Sequence, residues 1–149
     1  HNYEPVDFVV MGFDRKVDYD KLNTAMRLVL RGAKLVAMHK DKTWRADDGI
    51  AMSLGALVSA VEYSSGAEAI VIGKPNENFF KIAMEEIGAK SNNTVMIGDN
   101  LEGDIGGAKN VKLKTILVKT GSYNETAYRT SKLKPDCAID SIADIRKVL

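Results

Sequence analysis

The chain has 149 residues, 45% of them hydrophobic, and a formal net charge of +1. That is enough to bury one core or two small ones, and it argues against a dedicated electrostatic surface for nucleic acid or membrane. One cysteine, Cys137, permits no internal disulfide, which fits a reducing, cytoplasmic setting.

In chain order, Phe8 to Met11 and Leu35 to Met38 read as strands on either side of a helix. Asp18 can cap that helix, Leu22, Ala25, Met26 and Val29 form its apolar stripe, and Gly32 follows its end. The segments Asp41-Lys-Thr-Trp-Arg45 and Ala46-Asp-Asp-Gly49 read as loop and turn. A second helix starts near Leu54, carries Leu57, Val58 and Val61, and stops at Ser65-Gly66. The most apolar stretch, Gly49 to Val61, is too short to span a bilayer.

A strand from about Ala69 ends in Gly73-Lys74-Pro75, and Asn76 and Glu77 then open a helix with Phe80, Ala83, Met84 and Ile87 on one side and Gly88 as its stop. The run Thr94 to Ile97 is another strand, ending in Gly98 and Asp99. A Gly-rich helix follows from about Leu101, in which Gly103, Gly106 and Gly107 would allow close approach to the sheet. Thr115 to Val118 and Cys137 to Ile139 are further strands. Ser141 opens the last helix, with Asp144 at the capping-box position and Ile142, Ile145 and Leu149 inward.

Asp99 and Asp104 are the residues that point to chemistry. Asp99 stands at the carboxyl end of a strand, where ligands collect in open α/β sheets. Two carboxylates in such a crevice suit a hard cation such as Mg2+, which also takes waters and phosphate oxygens. Spacing alone leaves open a turn in which Asp99 or Asn100 only caps the helix. Lys74 ends the preceding strand. A right-handed βαβ crossover would make the two strands parallel and put Lys74 and Asp99 at one sheet edge, where a lysine can neutralise a phosphoryl oxygen and a carboxylate.

Taken together, Val71-Ile-Gly-Lys-Pro75 and Met96-Ile-Gly-Asp-Asn-Leu-Glu-Gly-Asp104-Ile resemble the third and fourth motifs of the haloacid dehalogenase (HAD) superfamily of phosphatases. The chain is most similar to subfamily IIA, the NagD and p-nitrophenyl phosphatase type. Within it, the likeness is to the branch of haloacid dehalogenase-like hydrolase domain-containing proteins and phospholysine phosphohistidine inorganic pyrophosphate phosphatase. Gly12-Phe-Asp-Arg15, Ala37-Met-His-Lys40, Asp48-Gly49, Gly55-Ala-Leu57 and Ile116-Leu-Val-Lys-Thr-Gly121 extend it from about Val9 to the C-terminus.

The resemblance implies an α/β fold: the second half of a HAD-type Rossmann-like parallel-sheet core (residues 69–149), preceded by the C-terminal portion of an α/β cap (residues 1–68). It also implies a Mg2+-dependent phosphatase acting on small phosphate esters through an aspartyl-phosphate. Asp99 would then be the metal ligand, Asp104 would order the metal's waters or second shell, and Lys74 would hold the phosphate and the nucleophile. The implied partner is a small phosphorylated substrate, with neither nucleic acid nor membrane, and a homodimer stays open because caps of this kind often mediate dimer contacts.

One departure is large. Family members begin with an apolar strand ending Asp-x-Asp-Gly, whose first aspartate is the nucleophile, and no such segment exists here. Asp18-Tyr-Asp20 opens a helix instead, and Asp14 is followed by Arg15-Lys16. The family's early Ser or Thr motif is absent as well. The chain therefore reads as the C-terminal part of a larger phosphatase, inactive alone, and its start at His1-Asn2 without Met agrees.

The competing reading is a non-catalytic α/β binding module in which Asp99 and Lys74 form a structural ion pair or an anion site. His39 at a strand end and Trp44 in a loop could face substrate, or could simply pack locally. No His or Cys cluster has zinc-ligand spacing, and no Gly-x-Ser-x-Gly elbow marks a serine hydrolase.

Overall fold

A computed structural model describes residues 4–148; Leu149, expected to point inward, lies outside the described residues. The chain divides into two compact units, His1–Gly73 and Lys74–Leu149.

The first unit is a two-layer α/β arrangement. Strands β1 (Phe8–Met11), β2 (Lys34–Ala37) and β5 (Ile70–Val71) form a parallel sheet in the order β1-β2-β5. Helices α1 (Tyr19–Leu30) and α2 (Leu54–Ser65) supply Val29, Leu54, Val58 and Val61 to a core shared with Val9, Met11, Leu35 and Ala37 of the sheet. Alternation along β1 leaves Phe8 and Val10 exposed on the opposite side. Asp18 caps α1 by accepting a hydrogen bond from the Lys21 amide, and α2 ends on the left-handed Gly66, both as the sequence predicts.

The segment expected to be loop and turn folds instead as an antiparallel hairpin, β3 (Thr43–Ala46) and β4 (Gly49–Met52), closed by Asp47-Asp48. Four-residue strands interrupted by Arg45 and flanked by acidic residues carry too little alternation to be read as strands.

In the second unit, β6 (Val95–Gly98), β7 (Lys114–Val118) and β8 (Cys137–Ile139) form a parallel sheet in that order. Both faces are covered, as parallel sheets require. Phe80 of α3 (Glu77–Glu86) and Ala108 of α4 (Gly107–Asn110) pack with Leu113, Met84 and Met96 in one cluster. Ile116, Val118 and Ile139 pack with Val95, Ile97 and Ile145 in another, Ile145 coming from a 3-10 helix over Ile142–Lys147 that Ser141 caps. Between α4 and β8 lies a short helix absent from the sequence reading, α5 (Glu125–Thr130), capped by Asn124.

The pairing corrects one expectation. The strand before Lys74 does not join the sheet that holds Asp99: β5 pairs with β2, and β6 pairs with β7. An apolar run signals a strand but not its partner, and here Ala69 and Val71 pack on the core of the first unit. Lys74 and Asp99 therefore do not end neighbouring strands of a βαβ unit.

Candidate functional site

Lys74 is brought to its partner by packing at the start of α3. Asn76 caps that helix, its side chain accepting from the Asn78 amide at 2.9 Å. Gly107 faces Phe80 and Pro75 so closely that a Cβ there would stand 2.4 Å from the Phe80 ring and 2.9 Å from Pro75 Cα. This glycine therefore admits α3 rather than the sheet, which differs from the expected packing partner. Gly103 faces the Asn100 side chain and Gly106 faces Leu133, so neither of them meets the sheet.

The result is a short ion pair. Lys74 Nζ donates to Asp104 Oδ1 at 2.6 Å, with Asp104 almost wholly buried and Lys74 partly exposed. The second oxygen of Asp104 accepts from the Asn100 amide at 3.0 Å. Gly98, at the end of β6, makes room for this carboxylate; a Cβ there would fall 2.2 Å from Asp104 Oδ2. A buried carboxylate bonded through both oxygens is fixed in place and keeps its ammonium partner nearby. The ion pair expected of a binding module joined Lys74 to Asp99; the lysine pairs with Asp104 instead.

Asp99 has a different setting. The helix that follows opens with a wide, π-type turn over Leu101–Gly106 before α4 begins. Its cap is Asn100, whose Oδ1 accepts from the amides of Glu102 (3.1 Å) and Gly103 (2.8 Å). Capping is thus taken by Asn100 and not by Asp99. Asp99 Oδ2 accepts from the Ser122 amide at 2.6 Å, and Oδ1 meets no donor among the described residues.

Beside Asp99 the sequence reading missed a groove. A cavity of about 420 Å³ is lined by Asp99, Glu102, Ser122, Tyr123 and Tyr128, among others. The Tyr123 hydroxyl donates to Glu125, which pushes its pKa up to about 12. The available signal was Thr120-Gly121-Ser122, a polar turn at the end of the apolar strand next to β6.

His39 and Trp44 have local partners. His39 Nδ1 lies 3.3 Å from Asp41 Oδ2, and Trp44 meets Phe13 edge to face at 5.7 Å with Arg15 over its ring. Among the described residues, no group of three or more His, Cys, Asp or Glu gathers to hold a metal ion. A single carboxylate oxygen with no protein donor still suits Mg2+, which completes its shell with waters and phosphate oxygens.

Residues 71–145, which contain Lys74, Asp99 and Asp104, match the family model of HAD-like hydrolases. The chain belongs to that family. It is 46% identical over 105 residues to haloacid dehalogenase-like hydrolase domain-containing protein 2 of Bos taurus, covering 70% of this chain and 40% of the relative. It is 35% identical to phospholysine phosphohistidine inorganic pyrophosphate phosphatase of Xenopus laevis, covering 88% of this chain and 49% of the relative. The structure of 4-nitrophenylphosphatase from Thermotoga maritima superposes with a TM-score of 0.88 at 30% identity, covering 95% of this chain and 54% of that one. These similarities bear out the subfamily IIA resemblance. The chain spans about half the length of the relatives it matches.

Proposed function

We propose that these residues are the C-terminal part of a Mg2+-dependent HAD phosphatase that hydrolyses small phosphate esters through an aspartyl-phosphate. The observation that carries the reading is the Lys74–Asp104 pair beside an aspartate relieved of capping by Asn100. A helix cap and a structural ion pair account for Asn100 and Asp104; they leave Asp99 Oδ1 and the exposed side of Lys74 without a structural task.

In this reading Asp99 is a Mg2+ ligand, and Mg2+ supplies charge neutralisation at the phosphoryl oxygens. Lys74 binds a phosphoryl oxygen and steadies the nucleophilic carboxylate, while Asp104 fixes Lys74 and the backbone of the metal loop from behind. The nucleophile lies outside these residues. Its carboxylate attacks phosphorus, the ester P–O bond breaks, and the leaving oxygen takes a proton from the second aspartate of Asp-x-Asp-Gly; water then frees phosphate from the acyl phosphate. Among the described residues β6 pairs only with β7, so its other edge can accept a parallel strand. A strand ending in Asp-x-Asp-Gly on that edge would bring its carboxylates to the end that carries Asp99.

By the same reading, the first unit is the closing portion of a cap and the second is catalytic core; β5, expected to open the core, pairs with β2 in the first unit. The single cysteine fits a reducing, cytoplasmic setting, and no described helix is long and apolar enough to cross a membrane. The substrates are small phosphorylated metabolites or phosphoamides, the latter as in the name of the phospholysine phosphohistidine relative.

The test is an assay with p-nitrophenyl phosphate and Mg2+. The longer protein should turn over and the 149-residue chain should not. Turnover by the chain alone that disappears on Asp14→Asn or Asp20→Asn would overturn the assignment of the nucleophile to another segment.

A further inference from the structure

The turn after β7 holds Asp99 in a way that capping and packing do not require. Thr120, Gly121, Ser122 and Tyr123 form a tight turn, closed by the Tyr123 amide donating to the Thr120 carbonyl at 3.0 Å. Gly121 adopts φ +56, and a Cβ built on it would stand 2.0 Å from Asp99 Oδ2 and 3.1 Å from Asp99 Cγ. The carboxylate therefore lies directly on the glycine, in space that any side chain would fill. From there Oδ2 takes the short bond from the Ser122 amide. Strand pairing sets this up: Gly98 and Leu117 are in register, so the chain leaving β6 and the chain leaving β7 emerge side by side.

We propose that Gly121 and Ser122 are positioning residues for Asp99: the glycine gives the carboxylate its seat, and the Ser122 amide fixes Oδ2 so that Oδ1 is left for the cation. The proposal rests on the reading of Asp99 as a Mg2+ ligand. Metal ligands held by a second hydrogen bond are pre-oriented, and loss of such a support typically lowers metal affinity about 10–100-fold. Here the support is backbone, so only the geometry of the turn can remove it.

Gly88 supplies the control. It is also left-handed, at φ +62, yet a Cβ there would meet nothing within 4 Å. Gly88→Ala therefore imposes the same backbone strain in the same unit without touching a carboxylate.

Two measurements test the proposal separately from the phosphatase reading. In the isotope-labelled 149-residue chain, the Ser122 amide proton should resonate downfield and move upfield in Asp99→Ala. Gly121→Ala should reproduce that move and Gly88→Ala should not. In the longer protein, Gly121→Ala should raise the Mg2+ concentration for half-maximal activity about tenfold or more while the rate at saturating Mg2+ falls much less, with Gly88→Ala unchanged. A Ser122 amide indifferent to Asp99→Ala would overturn the clamp, and this measurement stands even where Gly121→Ala does not fold. Equal Mg2+ requirements in the two glycine variants would overturn the positioning role. A longer protein that cleaves no phosphate ester would overturn the phosphatase reading, while the amide shift still decides the clamp.

Discussion

At the scale of single residues, Lys74 and Asp104 divide the work of one ion pair unequally. Asp104 is sealed beneath Gly98 and the Asn100 amide, whereas Lys74 keeps part of its side chain in solvent. Removing the lysine leaves a buried carboxylate with one remaining donor; removing the aspartate frees the lysine and unties the loop that carries Asp99 and Asn100. Lys74→Ala in the longer protein should lower turnover about 10²–10³-fold, since one preorganised charge at the transferring phosphoryl group is lost. Near-normal turnover in that variant would contradict the role given to Lys74. Lys74 was legible in the sequence as strand-end chemistry and Asp104 as a second carboxylate at the start of a helix, but their pairing was not. It depends on Gly107 admitting Phe80 and Pro75, a contact that helical periodicity cannot express.

At the scale of elements, α2 is tied to its neighbours by one carboxylate. Glu62 accepts from Lys40 Nζ at 2.8 Å and from the Ala69 amide at 2.9 Å, joining α2 to the chain after β2 and to the start of β5. Burial pushes its pKa up, but the Lys40 and Ala69 hydrogen bonds outweigh that and hold it below the ordinary 4.5. A carboxylate with a depressed folded pKa adds stability above its unfolded value, and that stability is lost as pH falls through the folded one. Glu62→Gln should therefore lower stability by about 1–3 kcal/mol at pH 7. The gap between variant and wild type should close as the pH is taken below 4.5. Thermal melts across pH 3–8 read this out (roughly the range that spans carboxylate titration), and a constant gap would contradict it. Helices α1, α2 and α3 were legible because caps and stripes are local. The β3–β4 hairpin and α5 were not, because four to six residues of mixed polarity carry no period long enough to detect.

At the scale of the whole molecule, each unit has its own sheet and its own core, and β5 belongs with the first. The α/β fold class was legible through the family resemblance of the strand-end motifs, while strand partners depend on contacts far apart in sequence. That no Asp-x-Asp-Gly lies in these residues was equally legible; under the proposed function they would supply a metal ligand, a phosphate-binding lysine and its anchor, and not the atom that attacks. The central claim is that Asp99 binds Mg2+ and is not a helix cap, and Asp99→Asn separates the two. Asparagine matches aspartate as a cap, so a capping role predicts a nearly silent change. A ligand role predicts a folded protein with reduced activity and a higher Mg2+ requirement, because the charge the cation needs is gone. The measurement is a Mg2+ titration of phosphate release by the longer protein and its Asp99→Asn variant. A curve displaced to higher Mg2+ with a lower plateau is the expected result; superimposable curves would contradict the metal site.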